Sequence, residues 1–188
     1  MPDPGREFLN GHLLLDSGQL RGSFFQRTVV LICQHDSEGA FGLVLNKPTG
    51  SIVGDVLLSD VPDSLKSLPV FSGGPVQPTA LSYLRESGSS DHEEPVIPGV
   101  TIGHSLEFLR DFAGQEPDPG QIRLFAGYSG WSPGQLESEI KREAWLTHPA
   151  SFDLIFQAQP DQLWQHVLRL KGWQYRILSQ MPEEPELN

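Results

Sequence analysis

Val29-Val30-Leu31-Ile32-Cys33 is the stretch that most restricts what this chain can fold into. It is five consecutive apolar residues, three of them β-branched, with neither the length of a helix nor the alternation of a half-solvated strand. Such a run reads as a strand covered on both faces, so it should lie centrally in a sheet with packing layers above and below. Gly42-Leu43-Val44-Leu45-Asn46 follows after His35-Asp36-Ser37-Glu38-Gly39, the spacing of an antiparallel hairpin with a long loop.

The same reading predicts further strands at 13–15, 70–72, 81–85, 100–102, 122–128, 144–146 and 152–156, and helices at about 52–58, 106–113, 133–142 and 162–171. Ser132-Pro133-Gly134-Gln135 has the composition of a capping box, with serine as N-cap, proline at the first helical position and glutamine at the third. Glu137 and Lys141 then stand at i, i+4, and Leu136 and Ile140 supply a buried stripe. The last predicted helix buries Leu163, Trp164, Val167 and Leu168 and ends at Gly172. Strands outnumber helices and do not alternate with them, which favours an α+β fold with a mixed sheet over a doubly wound one.

With 188 residues, 38% of them hydrophobic, the chain can build a core without covalent staples. One domain over 1–188 is expected, with its core at about 8–180 and polar, proline-rich tails at 1–7 and 181–188 that fray. Loops at 86–95 and 114–120 should be mobile. Thirteen Lys and Arg against 24 Asp and Glu give a net charge of −11. That balance repels phosphate backbones and anionic bilayers, so direct nucleic-acid binding is disfavoured and no membrane association is expected. The closest basic pairs, Lys141-Arg142 and Arg169 with Lys171, fall in last helical turns, where a cation complements the helix dipole. A single cysteine excludes an intrachain disulfide, the first residues lack a signal-peptide pattern, and no apolar run approaches the ~20 residues that span a bilayer. A cytoplasmic location is the resulting expectation.

Four segments carry residues capable of chemistry. Cys33 and His35, two apart on a strand, should share a face, which allows a thiolate–imidazole pair, although a cysteine ending an apolar run more commonly packs as a small hydrophobe. His35-Asp36 at a turn could orient an imidazole, but the six histidines show no HxxxH or HxH spacing, and neither metal nor cofactor is expected. Ser72-Gly73-Gly74-Pro75-Val76 follows a strand and could aim successive N–H groups at an oxyanion; equally, it could be a tight crossover. Gly127-Tyr128-Ser129-Gly130-Trp131 misses the Gly-x-Ser-x-Gly elbow by one position, and Trp131 reads either as a stacking platform or as a lid over the core.

Five blocks, in order, make this chain similar to one bacterial family: Gly11-His12-Leu13-Leu14-Leu15; Arg27-Thr28-Val29-Val30-Leu31 through His35-Asp36; Gly39-Ala40-Phe41-Gly42-Leu43-Val44-Leu45-Asn46-Lys47-Pro48; Ser72-Gly73-Gly74-Pro75-Val76; and Ala126-Gly127-Tyr128-Ser129-Gly130-Trp131-Ser132-Pro133-Gly134-Gln135-Leu136-Glu137. The chain resembles the AlgH/YqgE family over about 11–179. The resemblance implies an α+β fold around a mixed, partly barrel-like sheet flanked by about four helices. The family name implies a transcriptional regulator, with no settled activity and hence no catalytic residue to carry over. Gly18 and Gly103-His104-Ser105 depart from the family pattern.

Asn46, Gly73, Gly74, Tyr128, Gly130 and Trp131 are the candidate ligand contacts. The favoured expectation is a non-enzymatic regulatory or binding module with a protein or small-molecule partner. The alternative is an enzyme whose site assembles around the glycine-rich turns from residues such as Cys33, His35, Ser72 or Ser129.

Overall fold

The computed structural model describes residues 8–57, 63–87, 92–105, 107, 109 and 119–180. Among them the chain runs β1 (His12–Asp16), β2 (Val29–Asp36), β3 (Gly39–Val44), β4 (Pro48–Ile52), α1 (Val53–Val56), α2 (Asp63–Lys66), β5 (Pro69–Ser72), β6 (Val76–Glu86), β7 (Glu93–Ile97) and β8 (Val100–Gly103). It continues through β9 (Ile122–Trp131), α3 (Gln135–Lys141), β10 (Trp145–Pro149), α4 (Phe152–Phe156), α5 (Pro160–Lys171) and α6 (Arg176–Gln180), with 3-10 turns at Pro119–Gln121 and Trp173–Tyr175. Apart from Glu107 and Leu109, which are helical, the helix expected at 106–113 lies outside the described residues, as do both tails and most of the 114–120 loop. No described helix is long and apolar enough to cross a membrane.

The sheet is mixed and curls into a half-barrel, in the order β10-β1-β2-β3-β9-β6-β8-β7, with β4 paired to β5 and β5 to β9. Only the β5–β9 pairing is parallel among those described. As expected, β2 is covered on both faces. Leu13, Leu15, Val29, Leu31, Leu43 and Leu45 meet α4 and α5 through Leu154, Ile155, Leu163, Trp164 and Val167. Leu14, Val30, Ile32 and Val44 point the other way, onto Trp131, Leu136 and Trp145. A third cluster packs α1 and α2 against β5 and β9 through Val53, Leu65, Val70, Ile122 and Leu124.

β9 is the strand that joins the two halves. Its first part pairs with β5 (Val70 opposite Leu124, Ser72 opposite Ala126) and its last part with β3 (Gly42 opposite Ser129, Ala40 opposite Trp131). Gly127, at φ 72°, marks the change of partner, a left-handed kink that a side chain would oppose. Gly73 bridges the gap, since its N–H donates to the Ala126 carbonyl (2.9 Å) and its carbonyl accepts from Val44 N–H (2.9 Å).

Several local expectations change. Residues 152–156 form a helix rather than a strand, because Ser151 caps it by accepting from Leu154 N–H (3.3 Å) and Asp153 sits in the first turn. Three consecutive buried residues, Leu154, Ile155 and Phe156, suit a helix end sunk in the core and not an alternating strand. Ser132-Pro133-Gly134-Gln135 is a β-turn ahead of α3 instead of its first turn: Gly134 has φ 77° and ψ −6°, and Gln135 N–H donates to the Ser132 carbonyl (3.0 Å). Those are the angles and bond of a type II turn, for which Pro-Gly at the centre is the preferred pair. Half of the expected reciprocal bonding survives, as Gln135 Oε1 accepts from Ser132 N–H (3.0 Å). The β2–β3 loop is short, with Asp36 paired to Gly39 and only Ser37 and Glu38 between them. The helix of 162–171 buries Leu163, Trp164, Val167 and Leu168 as expected, starting earlier at Pro160.

Candidate functional site

A bulge at Cys33, where the β2–β3 register shifts between Ile32 and Gln34, breaks the strand alternation. Cys33 therefore packs on the cluster containing Leu31, whereas His35 meets Leu9, Phe8 and Glu137. The two do not form a pair. Burial, aided by Glu94, pushes the thiol pKa well above its ordinary value, so Cys33 stays protonated. His35 is held by the Leu9 N–H on Nδ1 (3.0 Å), with its Nε2 3.6 Å from Glu137 Oε1. Among the described residues no group of three His, Cys, Asp or Glu is placed to hold a metal ion.

The six candidate contacts separate into four places. Gly73 and Gly74 are buried against β9, where a Cβ on Gly73 would lie 2.3 Å from the Gly127 carbonyl oxygen and one on Gly74 2.2 Å from that of Tyr128. These glycines permit backbone-to-backbone approach, and Ser129 Oγ adds a bond to the Gly73 carbonyl (3.0 Å). Tyr128 is half-buried and packs on Phe41, whose ring in turn meets exposed His104 edge-on.

Gly130 and Trp131 line a cleft of about 390 Å³ with Phe25, Glu139, Arg142 and Trp145. Its inner wall is set by one carboxylate oxygen: Glu139 Oε2 accepts from both Trp131 Nε1 (2.9 Å) and Trp145 Nε1 (2.8 Å), while Oε1 accepts from Gln135 Nε2 (2.9 Å). The two indoles lie edge to face, and Phe25 packs edge-on to Trp145. Trp131 is buried, a wall between core and cleft rather than an exposed platform.

Asn46 belongs to a larger cleft, about 570 Å³, with Arg27, Lys47, Ser72, Trp164 and Gln165. Arg27 takes the left-handed backbone region, φ 53°, uncommon for a side chain of its size. Buried Asp16 and half-buried Asn46 hold it there: its N–H donates to Asp16 Oδ2 (2.8 Å), and its carbonyl accepts from Asn46 Nδ2 (2.8 Å). Asp16 also receives the N–H groups of Gly18 and Leu20 on Oδ1, and Asn46 Oδ1 receives Val29 N–H. The Arg27 guanidinium lies over the Trp164 ring at 5.1 Å. Lys47 Nζ lies over Phe24 at 4.4 Å and donates to the Phe24 carbonyl. Both cations are thus held against aromatic rings at the cleft.

Sequence reasoning singles out Asn46 and Trp131 but not the residues that line the same clefts. Glu139 gives no signal, since a glutamate on a short helix reads as solvated. Arg27 and Lys47 read as ordinary flanking charges until the β2 and β3 ends come together. A Ser82–His104 contact (Oγ to Nδ1, 3.0 Å) likewise joins residues 22 apart in the chain.

Comparison with known proteins places these features in a family context. The AlgH-like family model matches residues 13–176. A UPF0301 protein of Chlamydia caviae is 37% identical over 179 residues, covering 95% of this chain and 94% of the relative. A UPF0301 protein of Chlorobium chlorochromatii is 36% identical with the same coverage. The solution structure of the AlgH protein from Pseudomonas aeruginosa superposes with a TM-score of 0.77 at 27% identity, covering 98% of this chain and all of that one. The crystal structure of DIP2367 from Corynebacterium diphtheriae shares the fold, with a TM-score of 0.76 at 22% identity over 94% of each chain. Sequence blocks, family model and fold agree, and the chain belongs to the AlgH-like family.

Proposed function

We propose that this protein is a non-enzymatic, cytoplasmic binding module that regulates through a partner, and that the Arg27–Lys47 cleft takes a small ligand bearing a carboxylate or phosphate. The observation that carries this reading is the convergence of two cations, against the single acid Asp161, on one cleft in a chain of net charge −11. Arg27, Asn46, Lys47 and Ser72 come from three separate segments, and their donors line a cavity of the size that suits small molecules. The guanidinium places a positive charge at the cleft wall, and Trp164 supplies an apolar surface behind it. Gly73 supports the scaffold, since both its backbone groups are spent inside the sheet.

Native mass spectrometry of gently purified protein tests the reading, alongside the Lys47→Met variant and thermal-shift titrations with inorganic phosphate, pyrophosphate and citrate. A reproducible excess mass that the variant loses, or a Tm that rises with one of these anions in the wild type alone, is the expected result. A clean apo mass together with flat titrations in both proteins rejects the cleft as an anion site.

A further inference from the structure

The end of α5, the Trp173–Tyr175 turn and α6 present large apolar side chains that are exposed among the described residues. Leu170, Trp173 and Ile177 are 54%, 77% and 74% exposed, the most exposed large hydrophobic side chains among the described residues. The segment is nonetheless docked. Tyr175 and Leu178 pack inward against the main core, Ser179 is buried, and Lys171 donates to the Thr147 carbonyl while lying over the Tyr175 ring at 5.4 Å. One side of the segment therefore anchors it, and the other holds three large apolar groups in water, at an unfavourable hydration cost.

Charge identifies what fits there. Residues 169–180 contain Arg169, Lys171 and Arg176 and no acid, whereas the rest of the chain carries ten cations against 24 acids. Arg169 and Arg176 are exposed beside the apolar groups. We infer that this face is a docking site for an acidic amphipathic segment of a partner protein, its apolar side set on Leu170, Trp173 and Ile177 and its carboxylates toward Arg169 and Arg176. A second copy of this chain would bring like charges together across the contact. An anionic bilayer would meet the repulsion of the whole acidic molecule, which a local peptide segment largely escapes through screening.

Fluorescence anisotropy of a labelled helical peptide tests this, with Leu at i, i+3, i+4 and i+7 and Glu elsewhere, against a control in which every Glu is Lys. The full-length protein should bind the acidic peptide and not the basic one, more weakly as salt rises. Trp173→Ala should weaken binding about tenfold or more, and Arg169→Glu with Arg176→Glu should do the same while leaving the far-UV spectrum unchanged. The inference is overturned by failure to bind the acidic peptide at about 1 mM, by equal binding of both peptides, or by indifference to Trp173→Ala. Two further results reassign the face and so also overturn it. One is Trp173-dependent dimerisation or adsorption to phosphatidylserine vesicles in place of peptide binding. The other is peptide binding that emerges only when Glu183, Glu184 and Glu186 are replaced by Gln, which would give the face to the chain's own C-terminal segment.

Discussion

Glu139 holds two buried tryptophans with one oxygen, and replacing it gives the sharpest test of how the aromatic wall is built. In Glu139→Ala the indole N–H groups of Trp131 and Trp145, on side chains 6% and 3% exposed, lose their acceptor. A hydrogen bond to a charged group contributes about 1.5–3 kcal/mol, so two give about 3–6 kcal/mol if the donors stay dry. Glu139 itself borders the 390 Å³ cleft, so water reaches the vacated position and the low end applies, about 3 kcal/mol. Alanine's better helix propensity returns a few tenths of a kcal/mol. Glu139→Gln keeps one acceptor oxygen for the indoles and loses the charge and the acceptor of exposed Gln135 Nε2, about 1 kcal/mol. Urea unfolding followed by far-UV circular dichroism should show a lower midpoint at unchanged slope, and heating should lower Tm by about 6–12 °C for Glu139→Ala in a chain of this size. Trp145→Phe removes one donor, so the cycle pairing it with Glu139→Ala should give a coupling of about 1 kcal/mol or more. A cost for Glu139→Ala below about 1 kcal/mol, with coupling under about 0.5 kcal/mol, would refute the argument, because the indoles would then be satisfied without the carboxylate.

Three further outcomes follow from the structure. Gly74→Ala forces a Cβ to 2.2 Å from the Tyr128 carbonyl carbon and oxygen; both neighbours are backbone, so a loss of about 3 kcal/mol or more is expected in chemical denaturation. Arg85 and Glu93 form a bidentate pair with side chains 5% and 0% exposed, so Arg85→Met alone should cost about 3–5 kcal/mol, while Arg85→Met with Glu93→Leu recovers most of it; a double variant no better than the single one contradicts the pair's role. Cys33 has a folded-state pKa above its ordinary 9.0, so the native state keeps the proton that the unfolded chain releases, and stability is full below pH 9 and falls above it. Between pH 8 and 10 the loss attributable to Cys33 is about 1.4 kcal/mol, and Cys33→Ala should flatten the profile by that amount in pH-dependent urea titrations; an unchanged slope places the thiol in water.

The clefts show where sequence reasoning reaches its limit. The Arg27–Lys47 cleft draws on residues at 27, 46, 47, 72, 164 and 165, none of which has a periodicity or spacing that ties it to the others. Trp131 stood out because of its glycine neighbours, but its partner Glu139 and the second indole, Trp145, became a unit only when β9, α3 and β10 packed together. Cys33 and His35 were placed on one face by counting residues, and a single bulge reversed that, since one inserted residue inverts the alternation downstream.

By itself, the sequence determined what local chemistry and period can encode. The β-branched run at 29–33 required a strand buried on both faces, and the stripe of Leu163, Trp164, Val167 and Leu168 required an amphipathic helix against it. The five ordered blocks carried the family, and composition set the net charge of −11. Tertiary structure alone decided that β9 changes partners at Gly127, that the Gly73-Gly74 turn closes the seam between β5 and β3, and that residues 152–156 coil into a helix whose end is buried in the core. It also decided which of 13 cations meet in a cleft and which stand beside exposed Leu170, Trp173 and Ile177. The physical reason is common to all of these. A short segment's preference between strand, turn and helix differs by about 1 kcal/mol or less per residue, which long-range burial and backbone pairing readily outweigh, and the proximity of residues a hundred apart has no local signature.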